Sequence, residues 1–156
     1  MKKKLQIATI KANNVTFQGC ELYWIFSRNH LEFLFRELEI FSSPSLVATA
    51  KYQEVMLPVI NLEKYYGLAQ KVQNGAPKYL VVRSVTEQNE LVKLIIQTPQ
   101  AVKIQALETG FIALQSPPEL PKNNNDVLGI YSLATDKIGI VPDFIAMSRS
   151  IQLRGN

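Results

Sequence analysis

Apolar residues in this chain recur at every second position rather than every third or fourth, which leaves little room for a helical architecture. Leu5, Ile7 and Thr9 alternate with Gln6, Ala8 and Ile10, and Val102-Lys103-Ile104-Gln105-Ala106-Leu107 alternates apolar with polar. Successive side chains of a strand point to opposite faces, so this period suits a strand with one face on a core and one in water. Glu21 to Phe26, Leu31 to Phe35, Val55 to Ile60, Tyr79 to Val82 and Leu91 to Ile96 are instead short, continuously apolar runs. Rich in β-branched and aromatic residues, they read as buried strands.

Turn formers punctuate these runs. Ser27-Arg28-Asn29-His30 separates two strands at hairpin spacing, and Ser42-Ser43-Pro44-Ser45 breaks another run. Asn74-Gly75-Ala76-Pro77 and Ser116-Pro117-Pro118 are strong breakers, Pro121 to Asp126 is the most loop-like stretch, and Thr135-Asp136-Lys137 suits a tight hairpin. Many short strands at this spacing predict an all-β sandwich or barrels. Two short helices are expected. Asn61 caps one, with Leu62, Tyr65 and Tyr66 as its stripe and Gly67 as its stop; Pro142 and Asp143 open the other, over Asp143 to Ser148. Each follows an apolar strand, and the two strand-then-helix units hint at two similar lobes.

At 156 residues, with 47% apolar and 19% charged, the chain can bury a core as one domain or two fused lobes. The single cysteine, Cys20, excludes an intramolecular disulfide and a cysteine-rich metal site. The net charge of +4 is modest, and three of the lysines sit together at Lys2, Lys3 and Lys4. The apolar stretch from Leu5 ends at Lys11, too short for a secretory signal, and no run approaches the ~18 residues of a membrane span. A cytoplasmic protein without membrane insertion is expected.

Material for catalysis is scarce. The one histidine, His30, sits in a turn, and Cys20 lies at the far end of the same strand, about 20 Å away if extended. No phosphate-cradling glycine loop and no nucleophile elbow occurs, and Asp136 and Asp143 read as turn former and cap. No catalytic, cofactor-binding or metal-ligating residue is therefore assigned, and no cofactor is expected. Tyr23, Trp24, Phe26, Phe33, Phe35 and Phe41 crowd residues 23 to 41, but Leu, Ile, Glu and Ser separate them rather than Lys and Arg. Core packing is the better reading than a stacking platform for bases. A small basic β-barrel binding nucleic acid is the alternative, and a small hydrolase or ligand-binding barrel a further one.

Several segments in order resemble the CheW-like domain of bacterial chemosensory systems. Leu22-Tyr23-Trp24-Ile25-Phe26 is similar to its opening strand, and Phe33 to Ile40 to a second strand ending in a Glu-Ile pair, here Glu39-Ile40. Val55-Met56-Leu57-Pro58-Val59-Ile60-Asn61-Leu62 resembles the family's Pro-containing strand and short helix, with Asn61 where Asp is usual. Lys78 to Arg83, Val127 to Ile130 and Ile138 to Phe144 resemble later strands, so the likeness runs from about residue 21 to 148. The family's Asn-Leu-Arg-Gly turn is replaced by Lys51-Tyr52-Gln53-Glu54, which lacks the Arg and the Gly. The resemblance implies two small SH3-like β-barrels sharing a core, with short helices, in one domain over 1–156. Lobe one would cover about 15–85 and lobe two about 86–150, with the N-terminal strand a candidate for exchange between them. It implies a non-catalytic adaptor that bridges the chemoreceptor cytoplasmic domain and a CheA-type histidine kinase, with no nucleic acid as partner. Its contact residues would be Glu39, Ile40, Lys51, Gln53 and Glu54.

Overall fold

Strand-forming runs separated by turn residues give strands almost throughout, and pairing then decides how they are grouped. The computed structural model describes residues 5–43, 46–68 and 75–154; the Lys2-Lys3-Lys4 run, Pro44, Ser45 and Asn74 lie outside the described residues. The strands are β1 (Gln6–Phe17), β2 (Cys20–Ser27), β3 (Leu31–Phe35), β4 (Ile40–Ser43), β5 (Leu46–Tyr52), β6 (Val55–Ile60), β7 (Lys78–Val85), β8 (Leu91–Thr98), β9 (Val102–Ala106), β10 (Ile112–Ala113), β11 (Val127–Ala134) and β12 (Lys137–Pro142). Helix α1 (Leu62–Tyr65) follows β6, and α2 (Phe144–Arg154) follows β12.

They form two six-stranded sheets, ordered β10-β11-β12-β2-β1-β9 and β3-β7-β8-β6-β5-β4. The ends of the chain build the first sheet and its middle builds the second. Sheet membership changes at the 3-10 turn Arg28–His30 and again between Thr98 and Val102. The Ser27–His30 segment is therefore not a hairpin, as its spacing suggested: β2 and β3 diverge into different sheets, and β2 pairs instead with β1 and β12. The two sheets share a device. β12 runs parallel to β2 and leads into α2; β6 runs parallel to β8 and leads into α1. The repeated strand-then-helix unit is thus the parallel closure of each sheet.

The larger core lies between the sheets. Ile10, Leu22, Trp24 and Ile140 from the first pack with Ile60, Leu80, Leu94 and Ile96 from the second. Trp24 is 1% exposed, stacks on Tyr66 with 5.4 Å between ring centroids, and donates its Nε1–H to Glu63 Oε1 at 3.4 Å. An indole buried this deeply needs such an acceptor. A second cluster (Ala50, Tyr52, Leu57, Val59, Tyr79, Val81 and Ile95) lies within the second sheet's own curl.

Both helices begin where their caps require. Asn61 Oδ1 accepts from Lys64 N at 3.0 Å, and Asp143 Oδ1 from Ala146 N at 3.1 Å. Gly67 stops α1 at φ +74°, and a Cβ there would press on Lys122 and Pro121. The second helix runs past the expected Ser148 to Arg154, and no Gly or Pro lies between them.

The expected burial fails at strand ends. Val55, Met56 and Leu91 are exposed although their runs read as buried. Of the crowded aromatics, Trp24 and Phe26 are in the core, whereas Phe33 and Phe41 are about half exposed. Their strands β3 and β4 are the two edges of the second sheet, where one side lacks a covering neighbour.

Candidate partner-binding surface

The surface begins at a two-residue hairpin. Tyr52 pairs with Val55, so Gln53 and Glu54 alone make the turn between β5 and β6, with φ of 47° and 67°. Positive φ at both central positions is the turn whose twist matches flanking strands, and Asn-Gly serves it best. Gln and Glu occupy it here under strain of about 1 kcal/mol each. Lys51 and Glu54 pair across the tip at 3.3 Å, but their side chains are 58% and 89% exposed, so the pair contributes little. Replacing both turn residues, Gln53→Asn with Glu54→Gly, is expected to raise the melting temperature by about 3 °C, a gain of about 1 kcal/mol. A lower melting temperature than the parent's would contradict the strained-turn account.

Register gathers the remaining candidate residues. Ile40 opens β4 opposite Ala50, which places Glu39 and Ile40 beside Lys51 at the edge of the sheet. Glu39, Lys51, Gln53 and Glu54 are exposed, while Ile40 is half-buried against the second cluster. Glu39 directly precedes β4 rather than ending β3, which stops at Phe35. Four of the five therefore lie on the β4–β5–β6 meander, and Glu39 directly precedes it.

The base of the hairpin is braced by charges that the sequence reading did not single out. Glu32 on β3 accepts from Lys93 Nζ on β8 at 3.0 Å and from Arg83 Nη1 on β7 at 3.5 Å. A hydrogen bond from the Tyr52 hydroxyl, with Lys93 and Arg83, holds the Glu32 carboxyl below the usual glutamate range. Burial, then the neighbouring Glu32, pushes the Tyr52 phenol up to about 12. Lys93 Nζ also lies 5.4 Å from the Tyr52 ring centroid. Four strands are thus tied together directly beneath the turn.

Beside this meander an open groove of about 870 Å³ runs between the β4–β6 face and α2. Phe41, Met56 and Pro58 line one wall; Ser148, Ile151 and Gln152 line the other. Phe41 and Met56 are the exposed apolar residues already noted at strand ends. In the sequence Phe41 directly precedes the turn formers Ser42-Ser43-Pro44, a signal that marks it as peripheral, whereas nothing beside Met56 does so.

On the far flank of α2 lies a buried polar cluster. Asp126, 8% exposed, accepts from the Tyr65 hydroxyl and, at 2.8 Å, from Ser150 Oγ. Its main-chain carbonyl accepts from the Tyr66 hydroxyl at 2.7 Å and from Asp143 N at 3.0 Å. Burial drives the Tyr66 phenol well above the ordinary tyrosine range.

His30 lies at the sheet-to-sheet crossing, its Nδ1 2.7 Å from the Arg83 carbonyl and 3.2 Å from the Ser84 hydroxyl. Cys20 and His30 stand at opposite ends of β2. Among the described residues no three His, Cys, Asp or Glu side chains converge as a metal site, and no helix is long and apolar enough to cross a membrane.

Among solved structures the chain is similar to the scaffolding protein TtCheW of Thermoanaerobacter tengcongensis, with a TM-score of 0.61 over 90% of this chain and 89% of that one. The fold is CheW-like. The two six-stranded sheets are its two SH3-like barrels, and α1 and α2 its short helices. Sequence identity is 13%, so the likeness rests on fold. No protein-family model and no curated protein matches the sequence.

Proposed function

We propose that this chain is a non-catalytic cytoplasmic adaptor of a chemosensory array, one CheW-like domain that bridges a chemoreceptor's cytoplasmic domain and a CheA-type histidine kinase. The observation that carries this reading is the likeness to a scaffolding protein over nine-tenths of both chains. The surface supports it. Glu39, Ile40, Lys51, Gln53 and Glu54 gather around one meander, and a rigid brace beneath a protruding turn suits a contact that must keep its shape.

Charge at the rim of an interface alters encounter more than stability. Lys51→Glu is therefore expected to weaken a pull-down of the cognate kinase or receptor fragment by about threefold to tenfold. Its melting temperature should stay within about 2 °C of the parent's, because Lys51 is exposed. If neither the kinase nor the receptor fragment binds the unmodified chain, the adaptor reading fails. If both bind and Lys51→Glu binds equally well, the contact surface lies elsewhere on the barrels.

A further inference from the structure

The order of the second sheet, β3-β7-β8-β6-β5-β4, leaves three strands between β3 and β5. Backbone pairing fixes only neighbouring strands, so side chains set β5 against β3 across the mouth of the curled sheet. Tyr52 on β5 is where they meet. Phe35 on β3 approaches its ring edge-on, with 5.8 Å between centroids, and Glu32 on β3 accepts from its hydroxyl. A ring contact tolerates sliding, whereas a hydrogen bond is directional. For stability alone Glu32 is a poor choice. Its side chain is only 16% exposed, and Lys93 at 3.0 Å and Arg83 at 3.5 Å are needed to offset its charge. Well-packed apolar residues of similar volume often serve stability as well or better. Tyr52 is also the last residue before the turn, whose Gln53 and Glu54 both hold positive φ. A turn strained in this way keeps its shape where its surroundings over-determine it.

We propose that Glu32 is a positioning residue for the proposed partner surface: through the Tyr52 hydroxyl it sets where the Gln53-Glu54 turn stands, without itself touching the partner. What the turn binds rests on the adaptor reading above; what holds the turn does not. A contact element already fixed in its bound position loses less freedom on binding, which raises affinity without adding a contact. The carboxylate suits this role because it draws on four strands at once: it sits on β3 and accepts from Tyr52 on β5, Arg83 on β7 and Lys93 on β8.

The test uses the full chain and two readouts. Tyr52→Phe keeps the buried ring and every charge of the brace and removes only the hydroxyl; Glu32→Gln keeps the shape and removes the charge. In both, amide hydrogen exchange at Tyr52 and Val55, the pair that closes the turn, should quicken about fivefold or more, because a hydrogen bond to a carboxylate is lost or weakened. Exchange at Ala134 and Lys137, the pair that closes the β11–β12 turn of the other sheet, should stay within about twofold. A CheA-type kinase fragment and a chemoreceptor cytoplasmic fragment are the binding probes. Each variant should weaken whichever fragment the parent binds by about threefold to tenfold. The double variant should be within about twofold of the poorer single one, since both act through one contact. Quicker exchange in Glu32→Gln but not in Tyr52→Phe overturns the route through Tyr52, and unchanged exchange in both overturns the proposal outright. Equal quickening at both turns reduces Glu32 to general support, and local quickening with unchanged affinity overturns its role in binding. If the parent binds neither fragment, the adaptor reading is what fails, and the exchange comparison still decides whether Glu32 holds the turn.

Discussion

Val59→Asp is expected to leave no cooperatively folded protein at ambient temperature. Val59 is 6% exposed, pairs with Ile95 in the parallel junction of β6 and β8, and packs among Ala50, Tyr52, Leu57, Tyr79, Val81 and Ile95. None of these offers a cation. A carboxylate placed there either loses its hydration or takes up a proton, and either course costs upward of ~4 kcal/mol. The whole stability of a domain is of order 5–15 kcal/mol. The charge would also fall in the junction that closes the second sheet, so local relaxation cannot remove it without parting β6 from β8. Val59→Ala separates the two possible causes: it opens a small void without a charge and should cost about 2 kcal/mol with folding preserved. Far-ultraviolet circular dichroism with thermal melting decides the matter. A Val59→Asp variant melting cooperatively within a few degrees of the parent would show that this position is not core.

The same strand shows what sequence could and could not reveal. Val55 to Ile60 was legible as a strand because its residues are apolar and β-branched between polar turns. Its burial was legible only in part: Val59 and Ile60 are core, while Val55 and Met56 project beyond the sheet's curl beside the turn. Helix starts were readable from Asn61 and Asp143, since capping is local chemistry. Sheet membership was not, because β1 and β2 pair with strands about a hundred residues later, and such pairing leaves no local mark. The five proposed contact residues were reached through resemblance, and register places them beside one another around one meander. Glu32 and Tyr52, which brace that meander, carried no signal; a glutamate in a strand reads as solvent-facing until Lys93 and Arg83 arrive from distant strands.

Asp126 is the extreme case. It ends the stretch whose composition is the most loop-like in the chain, yet it is 8% exposed and organises three segments. Asp126→Ala is expected to destabilise the protein by about 3 kcal/mol. The substitution keeps the main-chain carbonyl that receives Tyr66 and Asp143 N, so the loop's course is retained. What disappears is the carboxylate that accepts from the Tyr65 and Ser150 hydroxyls, two charge-assisted hydrogen bonds in a site poorly reached by water. Asp126→Asn retains an accepting oxygen without the charge and should cost about 1 kcal/mol. The ordering is the informative part. If charge alone mattered, alanine and asparagine would be equally damaging; if the oxygen's hydrogen bonds matter, asparagine recovers most of the loss. Urea unfolding measures both, with an unchanged denaturant slope as the sign that only the native state has altered. An alanine variant within 1 kcal/mol of the parent would mean that α1, the loop at 123–126 and α2 are held by apolar packing and by the hydrogen bonds to main-chain oxygens that survive the substitution. The carboxylate would then have no structural role at the junction of the two barrels.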